Sequence, residues 1–264
     1  MIKTYSYTSG DHIVDIDVTL DTHVNIDFEK GTKGTFVCNI FGEGNLDLKV
    51  NFQAHSDWSF LWLNRSDTNL VVKEHVQIDK DTHIKMNYGE LSQGSHTKDS
   101  TYEFIGERSD LELKGASIVS NTLKWDLKAI HHAKHSIANL DNHAIVLDGG
   151  KLNFEVTGKI DKGYSKSETH QMTRIMNLGS KLDAVVFPKL LIDENDVAAS
   201  HAATVGQPNE DHIYYLQSRG IDRDAALKLL IMGYLLPITS DIENMKIKEE
   251  LIEEIEKKVS LQWI

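Results

Sequence analysis

Histidine and cysteine are the residue types here that could hold a metal or carry a proton at neutral pH. The chain has 13 histidines and one cysteine. His131, His132 and His135 form an HHAKH cluster, and on a helix His131 and His135 would align as metal ligands do at i and i+4. Residues 130–147 read as strand and turn, however, with neither the Glu of an HExxH site nor a further ligand at useful spacing, so a polar strand surface is expected there. Cys38 lies in the apolar strand FVCNIF, a setting in which a lone thiol is buried and inert. His143, in Asp141-Asn142-His143, reads as structural. Asp15 and Asp17 are alternate residues on one strand face, a spacing that a solvated face produces freely. That leaves His201, at the end of a strand-like run between Ser200 and Ala202. From the residues alone it is either a hydrogen-bonded structural histidine or a ligand.

The elements that must position these residues are strands. Val14, Ile16, Val18 and Leu20 share one face while Asp15, Asp17 and Thr19 take the other, and Leu46, Leu48, Val50 and Phe52 repeat the scheme. Leu111 to Lys114, Leu123 to Trp125 and Leu152 to Val156 continue it, with glycines such as Gly31, Gly42, Gly89, Gly115 and Gly149 at the corners. Strand after strand without helices leaves a sandwich, a barrel or a solenoid, and alternation alone does not choose among them. No strict period is visible. All three prolines (Pro188, Pro208, Pro237) fall in the last third, which leaves the sheet region free of ladder-breaking residues.

Helical signals begin after Val205-Gly206-Gln207-Pro208. Asn209 is positioned to cap a short helix ending at Gly220, and Asp222 to cap a second whose apolar positions Ala226, Leu229, Leu230 and Tyr234 precede Pro237. Ser240-Asp241-Ile242-Glu243 has the form of a capping box. Leu251, Ile252, Ile255 and Val259 then form an apolar stripe that packs on its own domain or on a partner. The division expected is a β core over residues 1–208 and a C-terminal helical region over 209–264.

Composition sets limits. With 28 Lys plus Arg against 40 Asp plus Glu, the formal charge of -12 argues against a general nucleic-acid or anionic-membrane surface. One cysteine excludes an internal disulfide framework and suits a reducing compartment. No signal-peptide core and no run of about 20 apolar residues is present, so a soluble, unexported chain without membrane insertion is expected. There is no G-x-x-x-x-G-K-[ST] loop, no G-x-S-x-G elbow, no CxxC and no dinucleotide fingerprint. No nucleotide is therefore expected on this chain.

Three separated segments carry a family resemblance: Ser200-His201-Ala202-Ala203-Thr204-Val205-Gly206, Tyr215-Leu216-Gln217-Ser218-Arg219-Gly220-Ile221 and Gly233-Tyr234-Leu235-Leu236-Pro237-Ile238. In order and spacing they resemble the C-terminal signature of the SufB/SufD family. The resemblance runs from about Gly163 to Pro237, while the family's usual N-terminal helical region has no counterpart here. It implies a mainly β protein: a right-handed parallel β-helix, or solenoid, with a C-terminal α-helical region over 209–264 on which a SufC-type ABC ATPase docks and whose helices are expected to cover one open end of the stack. It implies a non-enzymatic component of cytoplasmic iron–sulfur cluster assembly, pairing as a homodimer or with a SufB-like paralogue. His201 matches a histidine that the family places at that mutual interface, as a candidate ligand for iron or a transient cluster, and neutral imidazole is a competent iron ligand.

The sequence also departs from the scaffold pattern. Where SufB proteins carry a cysteine and acidic residues flanking the histidine, this chain has Gln171, Ser200 and Ala202, and Ala199 stands where SufD proteins can have a cysteine. Thr169-His170-Gln171-Met172-Thr173-Arg174 resembles the SufD version. Clusters are normally held by thiolates, so any cluster is expected only with a partner chain. The other class left open is a carbohydrate-active β-helix, a polysaccharide lyase or hydrolase, in which surface carboxylates would do the chemistry.

Overall fold

Alternating apolar residues become strands, and the strands stack in parallel. The computed structural model describes residues 2–240, 242 and 244–261. Its strands are β1 (Ile2–Tyr7), β2 (His12–Phe28), β3 (Lys33–Phe52), β4 (Asp57–Asn64), β5 (Leu70–Ile78), β6 (His83–Glu90), β7 (His96–Phe104), β8 (Asp110–Val119), β9 (Thr122–His131), β10 (Ile137–Leu147), β11 (Lys151–Ile160), β12 (Glu168–Leu178), β13 (Asp183–Ile192) and β14 (Ala198–Gly206). The helices are α1 (Glu210–Ser218), α2 (Arg223–Leu235) and α3 (Met245–Leu261), with a 3₁₀ turn at Leu236–Thr239. From β4 onward each strand pairs with the strand two along the chain, giving the order β13-β11-β9-β7-β5-β3-β4-β6-β8-β10-β12-β14. The chain therefore winds as a parallel β-solenoid of about seven turns, even-numbered strands on one face and odd-numbered strands on the other.

β3 serves both faces: its residues 33–40 pair with β4 and its residues 44–52 with β5. The bend falls at Gly42 (φ 86°), where a Cβ would lie 2.1 Å from the Val18 carbonyl oxygen, so only glycine fits between the rungs.

Stacked partners are 24 residues apart in the first rungs, as at Asn39 and Asp15, and 31 apart later, as at Ser136 and Ser167. This drift hides the repeat from inspection of the sequence. The regular feature is a corner motif, a residue in the left-handed conformation followed by a buried Ser or Thr. Gly31, His55, Asp81, Arg108, His135 and Lys166 all have φ between 53° and 73°. Thr32, Ser56, Thr82, Ser109, Ser136 and Ser167 follow them, each at most 8 % exposed. Their hydroxyls donate to corner carbonyls, as Ser109 Oγ does to Gly106 O (2.7 Å) and Ser136 Oγ to Ala133 O (3.0 Å). Polar groups that the tight corner buries are thereby satisfied.

The interior of the first rungs is aromatic. Phe28 stacks on Phe52 at 4.6 Å and meets Phe36 edge-on at 5.2 Å, with Trp58 and Phe60 against the same group. Burying each such side chain contributes about 1.5–3 kcal/mol. Outside, Asn39, Asn45 and Asn51 of β3 donate to Asp15, Asp21 and Asp27 of β2 at 2.6–2.8 Å.

Three sequence expectations need correction. Pro188 lies inside a strand, β13, so the sheet is not free of proline. Asp183 and Asp193 donate their N–H groups to the carbonyls of Gly150, just before β11, and Ile160, at its end. Direction alternates along a parallel strand, so the even-numbered nitrogens, Pro188 among them, face the unpaired edge and no ladder bond is lost. Second, the helices do not close an end of the solenoid. α2, the 3₁₀ turn and α3 lie across the outer surface of the even-numbered face, where Ile231, Leu235, Ile238, Leu251, Ile255 and Val259 bury Val37, Leu61, Leu63, Ala116, Ile118 and Ile145. The α3 stripe thus packs on its own sheet, with Ile252 half-buried at its margin. Third, α2 buries Ala226, Leu227, Ile231, Met232 and Leu235, whereas Leu229 is 53 % exposed.

The caps at Asn209 and Asp222 are as expected, each side chain accepting a first-turn N–H, and Gly220 takes φ 87° behind α1. Asp241 and Glu243 of the expected capping box lie outside the described residues. At α3 the cap is Asn244, whose Oδ1 accepts the Ile247 N–H at 3.3 Å.

Candidate functional site

The two faces of the stack end differently from its middle. Every residue of β14 is exposed, and β14 pairs only with β12, so its outer edge carries unpaired backbone groups. Ala198 donates its N–H to Ser167 O, toward β12. Alternation then directs the N–H and C=O groups of Ala199, His201, Ala203 and Val205 outward, with no proline among them.

His201 pairs in register with Gln171, and Gln171 with Leu140. Leu140 and Gln171 are buried in the solenoid interior, so His201 stands on the interior-facing side of the last rung, exposed only because no further rung covers it. Among the described residues its imidazole has no hydrogen-bond or ion-pair partner, and Ala199 and Ala203 beside it are too small to screen it. Gln171 donates Nε2 to Lys189 O at 3.0 Å, while its Oε1 has no partner among the described residues. The open end therefore offers one accessible imidazole, a donor that suits iron, and no thiolate, the Gln171 amide oxygen being buried beneath it. Of the four positions at which the sequence departs from the family pattern, Gln171 and Ala199 share a face with His201. Ser200 and Ala202 point outward, Ser200 Oγ bonding His170 Nδ1 at 2.8 Å.

The remaining candidates separate cleanly. Cys38 is fully buried, and burial with the charges of Glu74 and Asp15 raises its thiol far above the ordinary range. His131 corrects the expectation of a polar strand surface: it is fully buried, stacked on Phe104 at 4.5 Å, with Nδ1 bonded to Ser136 Oγ at 2.7 Å. Burial and the neighbouring His132 push its pKa down to about 3, so it is a neutral core ring. His135 occupies the left-handed corner (φ 57°) and is exposed, whereas His131 is buried. His143 is buried against Tyr234 of α2, with Nε2 3.0 Å from Asp141 Oδ1. Among the described residues no group of three or more His, Cys, Asp or Glu could hold a metal ion.

Sequence reasoning passed over a buried polar cluster in the central rungs. Lys98, 1 % exposed, donates to Glu90 Oε1 at 2.7 Å, and its ammonium lies 4.2 Å from the ring centres of Tyr88 and Trp125 and 4.9 Å from that of Trp62. Burial alone would raise the Glu90 carboxyl, but the charges and hydrogen bonds of Lys98 and His96 outweigh it and hold the group at about 2. Glu74 accepts from the Tyr88 hydroxyl at 2.5 Å, and burial with the Glu74 charge raises both the Tyr88 and Tyr102 hydroxyls well above their ordinary values. The signal was available: in HTKDSTYEF, His96, Lys98 and Ser100 are in phase with Tyr102 and Phe104, which marks Lys98 as inward-facing.

Comparison with known proteins gives this geometry a context. The family model described as SUF system FeS cluster assembly, SufBD core domain, matches residues 11–234. The iron-sulfur cluster assembly protein SufD of Bacillus subtilis is 31% identical over 199 residues, covering 75% of this chain and 46% of the relative. SufD of Escherichia coli is 25% identical over 160 residues (58% of this chain, 37% of the relative), and SufB of Bacillus subtilis 28% over 118 residues (44% and 25%). The chain thus spans less than half the length of these relatives. No described helix is long and apolar enough to cross a membrane. A parallel β-solenoid with a helical layer, matched by the core-domain model over most of its length, makes this chain a SufD-like member of the SufB/SufD family.

Proposed function

We propose that this chain is a non-enzymatic component of cytoplasmic iron–sulfur cluster assembly that pairs through its last rung and carries His201 to the junction as a ligand for iron or a transient cluster. The observation that carries the reading is β14: nine exposed residues, small side chains, an unpaired edge without proline, and one unpartnered imidazole on the interior-facing side. Such an edge is a template for strand addition. The partner strand comes from a second copy or a SufB-like paralogue. With no thiolate on this side, the remaining ligands come from the partner, and the isolated chain reconstituted with iron and sulfide holds no stable cluster.

A SufC-type ATPase docks, in this reading, on the α1–α2 hairpin, where Tyr214 is 74 % and Leu229 53 % exposed. Truncation after Asn209 is a poor test, because it uncovers Leu61, Leu63, Ile118 and Ile145 and invites aggregation. Leu229→Asp leaves the core intact and should abolish co-elution with the ATPase.

The deciding experiment is complementation of a strain lacking the native gene by His201→Ala, beside thermal melts and anaerobic co-purification. Wild-type stability, pairing and ATPase binding are expected, with cluster maturation lost. Full complementation would remove His201 from the mechanism.

A further inference from the structure

The outer face of the last two rungs holds an arrangement that cluster assembly does not use. His170 on β12 and Ser200 on β14 are register partners, and Ser200 Oγ lies 2.8 Å from His170 Nδ1. The other ring nitrogen, Nε2, lies 3.4 Å from Oε2 of Glu168, two residues earlier on the same strand face. A neutral ring satisfying both contacts carries its proton on Nε2, donates it to Glu168 and accepts the Ser200 hydroxyl at Nδ1. That is the order of a nucleophile, a base and a group that orients the base.

The surroundings give access. Outward-facing Ala198 and Ala202 flank Ser200 with nothing larger than a methyl group, and Met172, opposite Ala202, is 37 % exposed. A shallow groove of about 420 Å³ continues past Glu168 and Ala198. An acyl group therefore reaches Ser200 without displacing a side chain and finds apolar surface beside it. Because Ser200 faces outward, a strand added to the β14 edge leaves the site open.

We propose that Ser200 is a covalent acylation site, modified by activated carboxylic esters or thioesters with His170 as the base. In the step, the Ser200 Oγ–acyl carbon bond forms as His170 Nδ1 takes the hydroxyl proton. The bond from acyl carbon to the leaving oxygen or sulfur breaks with its electron pair, and the leaving group takes up that proton. The product is O-acyl-Ser200 and a free alcohol or thiol; nothing is oxidised or reduced. Glu168 is a positioning residue, since it acts through the imidazole.

The test is incubation of the purified chain with p-nitrophenyl acetate, followed by peptide mapping. Ser218 is an internal control: it is exposed, but its hydroxyl donates to the Tyr215 carbonyl and no base receives its proton. Acetyl is expected on Ser200 at a rate about 100-fold above Ser218 and above Ser200 in His170→Ala, the lower end of what a positioned base supplies. Free imidazole should restore much of the loss in His170→Ala, which a merely structural role would not allow, and Glu168→Gln should lower the rate by less than His170→Ala. Absence of label on Ser200, or labelling of Ser200 at the wild-type rate in His170→Ala, overturns the proposal. Neither result bears on His201, which stands on the opposite face.

Discussion

At the first rungs Phe28, Phe36, Phe52, Trp58 and Phe60 fill the interior ring against ring, Asn–Asp ladders tie the outer surface, and Tyr5 and Tyr7 pack over the end. At the last rung β12 turns Thr169, Gln171 and Thr173 inward, and β14 lays Ala199, His201 and Ala203 over them with nothing covering the β14 residues in turn. Both ends are the same strand repeat. One end is filled with rings, and the other is left polar and small. On the proposed reading, stability and function sit on different rungs of one solenoid.

That separation is breakable by substitution. The largest effect is expected in the centre: Lys98→Met strands Glu90 in the interior, and removing one partner of a buried ion pair costs about 3–5 kcal/mol. Lys98→Met with Glu90→Gln should recover much of it, measured by chemical denaturation of both. Phe28→Ala belongs in the same range, about 3–5 kcal/mol, through loss of a fully buried ring and the void left behind.

An intermediate effect comes from pH. His131 has a folded pKa of about 3 against an ordinary 6.5, so over that interval the unfolded chain binds a proton that the folded chain does not. Its contribution is fully present above 6.5 and is lost as pH falls toward 3, by up to about 1.4 kcal/mol per pH unit. Glu90 adds to the acid loss only below its ordinary 4.5, down to about 2. His131→Phe, which keeps the stack on Phe104, should flatten stability between pH 6.5 and 4.5 while leaving the steeper fall below it.

The smallest effect is expected at the last rung. His201→Ala should change stability by less than about 0.5 kcal/mol, since an exposed ring without partners has nothing to lose. A melting temperature lowered as far as that of Phe28→Ala would dissolve the distinction between the two ends.

Strand alternation, the caps at Asn209 and Asp222 and the turn at Gly220 were legible because each is a local rule: side-chain period, a hydrogen bond within one turn, a left-handed glycine. The solenoid itself was legible only through family resemblance, because rung spacing drifts from 24 to 31 residues and the invariant part is a two-residue corner shared by chemically unlike pairs such as Gly31-Thr32 and Arg108-Ser109. The helices were placed on the wrong surface for a physical reason: an apolar stripe says that it is covered, not by what. His131 reads as surface from a run of polar neighbours, whereas counting in twos from Phe154's partner Trp125 through Leu127 and Ala129 places it inside. His201 was found by motif, and its face only by register with Gln171.

The helical layer also has a bearing on synthesis. Rungs contact only their neighbours and can close one after another as the chain emerges, whereas α3 reaches back across the whole stack, with Glu254 on Arg65 and Asn244 on Asp11, contacts spanning 189 and 233 residues. Until residues 231–259 have been made, Leu61, Leu63, Ala116, Ile118 and Ile145 form an apolar strip on the outside of a nearly finished solenoid. The nascent chain is therefore most exposed to misassociation between closure of the rungs and emergence of α3, which acts as the clasp that ends that interval.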